Sequence, residues 1–219
     1  AYAIKTIVTS EMPTKICEIH HVDLFNVLTG FKFIAEVVGE HEREGHGTFL
    51  LGYEESYGYM KGNYSRDKDG VVASMLICEM AAFYSLQGMT LIDAVDSLYQ
   101  KYGFYMENSA EIYMEGLDGK DKINALMDKL RSENPKTIGG SPVINVRDYM
   151  SDTSKNLLTG EITKTGLPQS NVIYYKTQNG CVVVARPSGT EPKIKFYVLA
   201  NGKDKITAEA NTKACTASL

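Results

Sequence analysis

The sequence predicts an α/β protein of two domains, a three-layer α/β/α domain with a mixed sheet followed by an α+β domain. Over roughly the first hundred residues, strand-like and helix-like runs alternate, which is typical of a mostly parallel sheet with helices on both faces. From residue 111 onward the order becomes β-α-β4-α, which indicates an antiparallel sheet with helices on one face. The two patterns meet near residues 103–110, so we predict domains at residues 1–106 and 107–219.

The elements of the first domain are predicted from apolar periodicity and from residues that begin helices. Ser10 is a typical N-cap and Pro13 fits the first turn of a helix, while Asp69 is placed to cap a later, longer helix. The helix at residues 32–42 carries an apolar stripe at helical spacing. The predicted strands lie at residues 4–9, 24–28 and 48–52, residues 57–60 can turn back beside the third strand, and the later helices lie at 71–87 and 91–102.

The elements of the second domain are predicted from short apolar runs and one strong turn signal. Asn179-Gly180 is the kind of pair that closes a tight β-hairpin, because both residues tolerate a positive φ. Residues 151–168 are rich in Ser, Thr and Gly and are predicted to be irregular. The predicted strands lie at residues 111–114, 143–146, 172–175, 181–185 and 194–199, and the helices at 120–131 and 204–215.

Composition limits the class of protein. The 219 residues are 43% apolar and carry a net charge of −4, which supports two cores and counts against a nucleic-acid surface, because such a surface needs a basic stripe. No apolar run approaches the ~18 residues of a membrane span, and the chain starts as a strand rather than as a signal peptide. We therefore expect a cytoplasmic protein without membrane or nucleic-acid partners. Because the chain lacks an initiator Met, we expect a fragment.

The cysteines and histidines are not predicted to bind metal. The four cysteines are far apart and form no CxxC pair, so we expect reduced core residues rather than disulfides. Neither histidine pair has a Cys or carboxylate at ligand spacing, so we expect exposed histidines and no metal site in this chain. The residues concerned are Cys17, Cys78, Cys181, Cys215, His20, His21, His41 and His46.

The segment from Arg186 to Pro192 carries the strongest chemical pattern. It places a guanidinium, two hydroxyls and a glycine between two strands, and its two prolines fix φ at both ends. A guanidinium fork, hydroxyl donors and free backbone N–H groups are what a phosphate requires. The alternative is an ordinary hairpin turn, which Ser, Gly and Pro also build. Arg186 and the second hydroxyl at Thr190 favour the phosphate site.

Three further constellations stand at the ends of elements, where loops carry function. Residues 52–59 end a strand with Glu54 and Ser56, and carboxylates accept strongly from the hydroxyls of a sugar; the alternative is solvated loop charge. Thr29-Gly30 joins a strand to a helix N-terminus, which attracts polar oxygens but is also a routine junction. Lys68 lies in a charged turn before the long helix, and it gains interest only if it points into a cleft with Glu54 and Ser56.

In this order, the four pieces resemble the C-terminal half of the α-D-phosphohexomutase family, of the phosphoglucomutase/phosphomannomutase type. The motifs are Leu28-Thr29-Gly30-Phe31-Lys32, Gly52-Tyr53-Glu54-Glu55-Ser56-Tyr57-Gly58-Tyr59, Arg66-Asp67-Lys68-Asp69-Gly70 and Arg186-Pro187-Ser188-Gly189-Thr190-Glu191-Pro192. The resemblance covers the whole chain. It implies that residues 1–106 are like the third domain of these enzymes, an α/β domain that recognises the sugar. It also implies that residues 107–219 are like their C-terminal domain, which binds phosphate and has a TBP-like sheet.

The resemblance also implies roles for individual residues. Such enzymes interconvert hexose 1-phosphate and hexose 6-phosphate through a bisphosphorylated sugar, with Mg²⁺ as cofactor and glucose 1,6-bisphosphate as activator. The implied sugar-binding residues are Glu54, Ser56, Thr29 and Gly30, the implied proton-transfer group is Lys68, and the implied ligands of the distal phosphate are Arg186, Ser188, Gly189 and Thr190.

The sequence also departs from the family pattern. It contains no Ser-His-Asn-Pro-type loop for a phosphoserine, no Asp-x-Asp-x-Asp-Arg loop for Mg²⁺, and no helix before the first strand. The resemblance therefore implies half of an enzyme, inactive alone, whose partners are a hexose phosphate and the missing N-terminal half of the same protein. The alternatives are a stand-alone, non-catalytic sugar-phosphate-binding module and, against its charge, a nucleic-acid binder.

Overall fold

A computed structural model describes residues 1–116 and 118–219 of the chain. The chain divides into two compact units, Ala1–Phe104 and Tyr105–Leu219. None of the helices in the described residues is both long enough and apolar enough to cross a membrane.

The first unit is built around a four-stranded mixed sheet in the order β2-β1-β3-β4. Strand β1 pairs in parallel with both β2 and β3, and β4 returns antiparallel to β3. The elements are β1 (Tyr2–Thr6), α1 (Met12–Ile19), β2 (Asp23–Val27), α2 (Phe31–Glu44), β3 (Phe49–Glu54), β4 (Gly58–Met60), α3 (Gly70–Ser85) and α4 (Leu91–Tyr102).

The two crossover helices of this sheet lie on opposite faces. Ile4 packs in one core cluster with Ile34 and Val38 of α2. The next residue, Lys5, points to the other face because side chains alternate along a strand, and its ammonium binds Glu11 beside the start of α1. The chain therefore leaves β1 on one face and enters β3 from the other, so a crevice opens between the carboxyl ends of β1 and β3.

Helix α3 is apolar around its whole circumference, yet none of its residues is buried within the described chain. Val71 is 82% exposed and Phe83 is 60% exposed. A cavity of about 340 Å³ separates part of α3 from β3 and β4 and is lined mostly by aliphatic side chains. An apolar face of this kind is typical of a helix that is covered by further protein.

The second unit is an eight-stranded sheet with two helices packed on one face. Its strand order is β5-β12-β11-β10-β7-β8-β9, and the short β6 pairs with β7. Ile123 and Met127 of α5 and Cys215 of α6 join one core with alternate residues of the central strands. The elements are β5 (Phe104–Tyr113), α5 (Gly119–Ser132), β6 (Thr137–Ile138), β7 (Ser141–Asp148), β8 (Thr153–Asn156), β9 (Ile162–Thr163), β10 (Ile173–Thr177), β11 (Val182–Pro187), β12 (Lys193–Gly202) and α6 (Lys205–Thr216).

The predicted fold class is confirmed, because an α/β/α unit is followed by an α+β unit with both helices on one face of its sheet. Helix α4 has the predicted bounds, Asp69 caps α3 through Val71 N and Val72 N, and Gly180 adopts the positive φ of a hairpin turn.

Local predictions fail in several places. The first strand, predicted at residues 4–9, lies at Tyr2–Thr6, and His41, predicted to be exposed, is half-buried and stacks on the Tyr2 ring. The N-cap of α1 is Glu11 rather than Ser10. The strand predicted to begin at residue 111 begins at Phe104. Cys78 is exposed on α3 instead of lying in a core. Residues 151–168 contain β8 and β9, because Asp152 accepts hydrogen bonds from Thr165 and Gly166 and so closes the loop into a hairpin.

Candidate functional site

The loop after β3 is a three-residue hairpin that presents Glu54 and Ser56. Glu54 pairs with Gly58 across the hairpin, and Tyr57 adopts a φ of 63° in the left-handed region that such a turn requires. Ser56 Oγ donates to Glu54 Oε1 at 3.0 Å. The two side chains therefore form one hydrogen-bonded pair of a carboxylate and a hydroxyl at the end of β3.

Phe31 joins this loop to two other predicted pieces of the site. Gly58 allows the approach, because a Cβ at that position would collide with the Phe31 ring and lie 3.2 Å from Glu54 Cγ. The Lys68 ammonium lies 5.6 Å from the centroid of the same ring. Since Phe31 directly follows Thr29-Gly30, the three sequence segments that carry the resemblance in this unit meet around one aromatic side chain.

Thr29 and Gly30 connect β2 to the N-terminus of α2. Gly30 has a φ of 119° that L side chains rarely adopt, so a glycine is required there by the backbone itself. Both residues are half-buried. Their position at the carboxyl edge of the parallel strands, at a helix N-terminus, suits the binding of a polar oxygen.

Lys68 is more exposed than its assigned role suggests. Its side chain is 60% exposed, and its ammonium forms an ion pair with Asp67 Oδ1 at 3.3 Å. The backbone and side chain of Lys68 both donate to Asp67, which lowers the pKa of that carboxyl group. Contact with the Phe31 ring places Lys68 beside the loop after β3, but Ser56 is hydrogen-bonded to Glu54 rather than to Lys68.

A buried polar network at the end of β1 was not found by the sequence reasoning. Lys5 is completely buried, and its ammonium donates to Thr9 O at 3.1 Å and to Glu11 Oε1 at 3.0 Å. Thr6 Oγ1 shares a hydrogen bond of 2.7 Å with Thr9 Oγ1 and donates to Glu55 Oε2 at 3.1 Å. The network thus crosses the crevice between β1 and β3. The sequence feature that could have revealed this network is Lys5, a charged residue within a largely apolar strand.

The predicted phosphate loop is the hairpin between β11 and β12. Arg186 pairs with Lys195 in this hairpin, and Ser188 N donates to Lys193 O at 2.9 Å. Ser188 Oγ accepts from Thr190 N at 3.3 Å and from Glu191 N at 3.2 Å. The N–H groups of Ser188, Thr190 and Glu191 are therefore used inside the loop, and the Ser188 hydroxyl lies 3.5 Å from the Thr190 hydroxyl, with which it shares a hydrogen bond.

Two residues of this loop are open to a ligand. Arg186 is half-buried, and its guanidinium has no hydrogen-bond or ion-pair partner among the described residues. Gly189 has no left-handed φ, and a Cβ built there meets no atom within 4 Å. Neither backbone conformation nor packing in the described chain explains this glycine, whereas close approach of a ligand would.

The described residues contain no cluster of three or more His, Cys, Asp or Glu side chains that could hold a metal ion. The Mg²⁺ implied by the resemblance therefore does not fit the side chains present here. The two loops offer carboxylate, hydroxyl and guanidinium groups, which can bind hydroxyls and phosphate.

Two family models match the chain, one within each of its two units. Residues 1–102 match the model described as phosphoglucomutase/phosphomannomutase, alpha/beta/alpha domain III. Residues 123–212 match the model described as phosphoglucomutase/phosphomannomutase, C-terminal domain.

Curated relatives are named phosphoglucomutase. A phosphoglucomutase of Staphylococcus aureus (strain bovine RF122 / ET3-1) is 39% identical over 195 residues, covering 89% of this chain and 35% of the relative. One of Staphylococcus haemolyticus is 39% identical over 200 residues, covering 90% of this chain and 36% of the relative. The chain thus spans about a third of the length of the curated relatives it matches.

Solved structures share the fold. The exocytosis-sensitive phosphoprotein pp63/parafusin from Paramecium superposes with a TM-score of 0.66 at 19% identity, covering 98% of this chain and 35% of that chain. A structure described as a putative phosphomannomutase from Thermus thermophilus gives a TM-score of 0.59 at 15% identity, covering 99% of this chain and 36% of that chain.

Proposed function

Since the chain belongs to the phosphoglucomutase/phosphomannomutase family, we propose that it supplies the sugar-recognition and distal-phosphate-binding parts of a phosphohexomutase. The whole protein would interconvert hexose 1-phosphate and hexose 6-phosphate through a bisphosphorylated sugar. The phosphoserine and the Mg²⁺ site would be supplied by the remainder of the protein, which is the partner of this chain. The substrate would be a small hexose phosphate.

The loop after β3 would bind two neighbouring hydroxyls of the sugar. The Glu54 carboxylate accepts strongly from O–H donors, and the Ser56 hydroxyl that now donates to Glu54 Oε1 can turn to a substrate hydroxyl instead. Thr29 and Gly30, at the N-terminus of α2, would contact a third polar group of the sugar. Together these contacts orient the ring, and orientation is a large part of phosphoryl-transfer catalysis.

The observation that carries the proposal is the free Arg186 guanidinium. Arg186 lies opposite Lys195 across the hairpin. The Lys195 ammonium lies 3.7 Å from Glu111 Oε1, whereas Arg186 has no anionic partner among the described residues. A dianionic phosphate would supply that partner. Arg186 would contact two phosphate oxygens, the hydroxyls of Ser188 and Thr190 would donate to the rest, and Gly189 would leave room for the group.

Lys68 is proposed to act in proton transfer near the sugar. Its ammonium lies against the Phe31 ring beside the recognition loop, and an exposed lysine can turn toward a substrate hydroxyl. Mg²⁺ and glucose 1,6-bisphosphate would act through the remainder of the protein, so no step of the present proposal depends on them.

Titration of the ¹⁵N-labelled chain with glucose 1-phosphate and mannose 1-phosphate tests the proposal by NMR. We expect shifts at residues 54–58 and 186–190, and Glu54→Gln should weaken binding of the sugar phosphate while leaving inorganic phosphate binding unchanged. Glu209→Gln on α6 removes the same charge as a matched control. Shifts spread over the surface, or equal binding by wild type and Glu54→Gln, would contradict sugar recognition by this loop.

A further inference from the structure

The phosphate loop contains a carboxylate, which is unexpected in a site for an anion. Glu191 lies within the loop, and its side chain is 53% exposed. An unpaired carboxylate this close would repel a phosphate dianion. Glu191 is paired, however, because its Oε2 atom lies 3.0 Å from the Lys193 ammonium.

Lys193 is itself held in place from the neighbouring strand β5. Its ammonium lies 3.1 Å from Glu111 Oε2 and donates to the Tyr113 hydroxyl at 3.1 Å. The same ammonium lies 5.1 Å from the centroid of the Tyr113 ring. The Lys193 side chain is only 18% exposed. Four contacts to three side chains thus fix one cation, which is unusual for a surface lysine, given the entropy that such a long side chain loses.

Two further observations indicate that this cluster serves the loop. Met114 N donates to Pro192 O at 2.9 Å, so the backbone after β5 also holds the end of the loop. The carboxylates of Glu191 and Glu111 and the Tyr113 hydroxyl hold the pKa of the Lys193 ammonium above its usual range, so Lys193 stays charged at all physiological pH values.

We propose that Lys193 is a positioning residue, which Glu111 and Tyr113 hold against Glu191 so that this carboxylate is neutralised and the phosphate meets Arg186 in a loop of positive potential. The inference rests on the proposed phosphate-binding function and adds that a residue outside the predicted ligands controls it. Lys193 would not contact the phosphate, since its donors are already occupied by Glu191, Glu111 and Tyr113.

Combined substitutions at Lys193 and Glu191 distinguish this role from two alternatives. In one, Lys193 contacts the phosphate directly; in the other, Lys193 only stabilises the structure of the loop. Phosphate affinity of the chain is measured at low salt, by NMR titration with inorganic phosphate. Lys193→Met should weaken phosphate binding roughly three- to tenfold, because it exposes the negative charge of Glu191. The double variant Lys193→Met/Glu191→Gln should return to within about twofold of wild type, because the unpaired charge of Glu191 is gone, while Glu111 keeps the Lys195 ammonium at 3.7 Å as a partner. A double variant as weak as Lys193→Met would overturn the proposal.

Glu191→Gln alone keeps the test independent of folding, because it changes an exposed loop side chain. It should bind phosphate at least as tightly as wild type, and weaker binding would contradict the assignment of Glu191 as a repelling group. Lys213→Met removes the same charge from an exposed position on α6 and should leave phosphate affinity unchanged. If Arg186→Lys fails to weaken phosphate binding, the assignment of the phosphate site is wrong. If Arg186→Lys weakens phosphate binding and Lys193→Met does not, only the role proposed for Lys193 is wrong.

Discussion

Replacing Arg186 with lysine tests the phosphate loop at the residue on which the proposed function depends most. A guanidinium offers two parallel N–H donors in a fixed plane, whereas an ammonium offers a point charge, so Arg186→Lys keeps the charge and removes the fork. The matched comparison is Ser188→Ala, which removes one neutral donor from the same loop.

The expected magnitudes differ clearly. Losing one of two charge-assisted hydrogen bonds costs about 1.5–3 kcal/mol, which corresponds to a roughly 10- to 150-fold weaker phosphate affinity. Losing the neutral bond from Ser188 costs about 1 kcal/mol, or roughly fivefold. The free energy of unfolding should change by less than about 0.5 kcal/mol for Arg186→Lys, because the guanidinium has no partner among the described residues to lose.

Affinity is measured by calorimetry or NMR titration with glucose 1-phosphate at low salt, and stability by thermal unfolding of the same samples. In a full-length relative carrying the equivalent substitution, the loss should appear in both KM and kcat, because binding of the remote phosphate helps to orient the reacting end. Equal affinities of wild type and Arg186→Lys would refute the phosphate assignment. A large fall in stability would show instead that Arg186 is a structural residue.

The remaining predictions concern the activity of the isolated chain, the room for a ligand at Gly189 and the pH dependence of the loop that Asp152 closes. The isolated chain should show no conversion of glucose 1-phosphate to glucose 6-phosphate in a coupled assay, because it has no phosphoserine loop; turnover that survives purification controls would contradict this. Gly189→Ala should leave the thermal midpoint unchanged, since a Cβ meets no atom there, yet weaken phosphate binding; unchanged binding would show that the ligand does not approach this glycine. Hydrogen bonds from Thr165 hold the pKa of Asp152 below its usual range. Its contribution to stability is therefore present above pH ~4 and lost as the pH falls through the lowered value. An acid-stable protease should cut residues 153–164 more readily below pH ~4, and Asp152→Asn should be cut equally at pH 3 and pH 6.

Most of the fold could be predicted from local patterns along the chain. Helix α4 was placed at its observed bounds, and the structure shows a capping box of Thr90 and Asp93 at its start, before an amphipathic run. The hairpin at Asn179-Gly180 followed from residues that tolerate positive φ. Residues 151–168 were misjudged because β8 and β9 depend on Asp152, whose acceptor atoms meet donors 13 and 14 residues away. Short strands of this kind carry little signal of their own.

The site was predictable where its chemistry is continuous in sequence. Arg186, Ser188 and Gly189 stand in one short loop, and Glu54 and Ser56 stand in another, so motif spacing alone identified both candidate sites. The roles of these residues remain predictions that the proposed experiments test. Lys193 lies in the same segment but was passed over, because its partners Glu111 and Tyr113 are about 80 residues earlier in the chain.

The sequence by itself determined the order of the helices and of the longer strands, the two domain types and the two polar loops, because helix periods, caps and turn residues act between neighbours a few positions apart. Only the tertiary structure decided which side chains contact one another. The Phe31 ring packs against the loop after β3 because Gly58 has no Cβ, and three separate segments meet there. The buried Lys5 ammonium pairs with Glu11 at the crevice. The fixed charge of Lys193 depends on β5. These contacts join residues far apart in the chain, and packing of whole strands and helices, not local preference, brings them together.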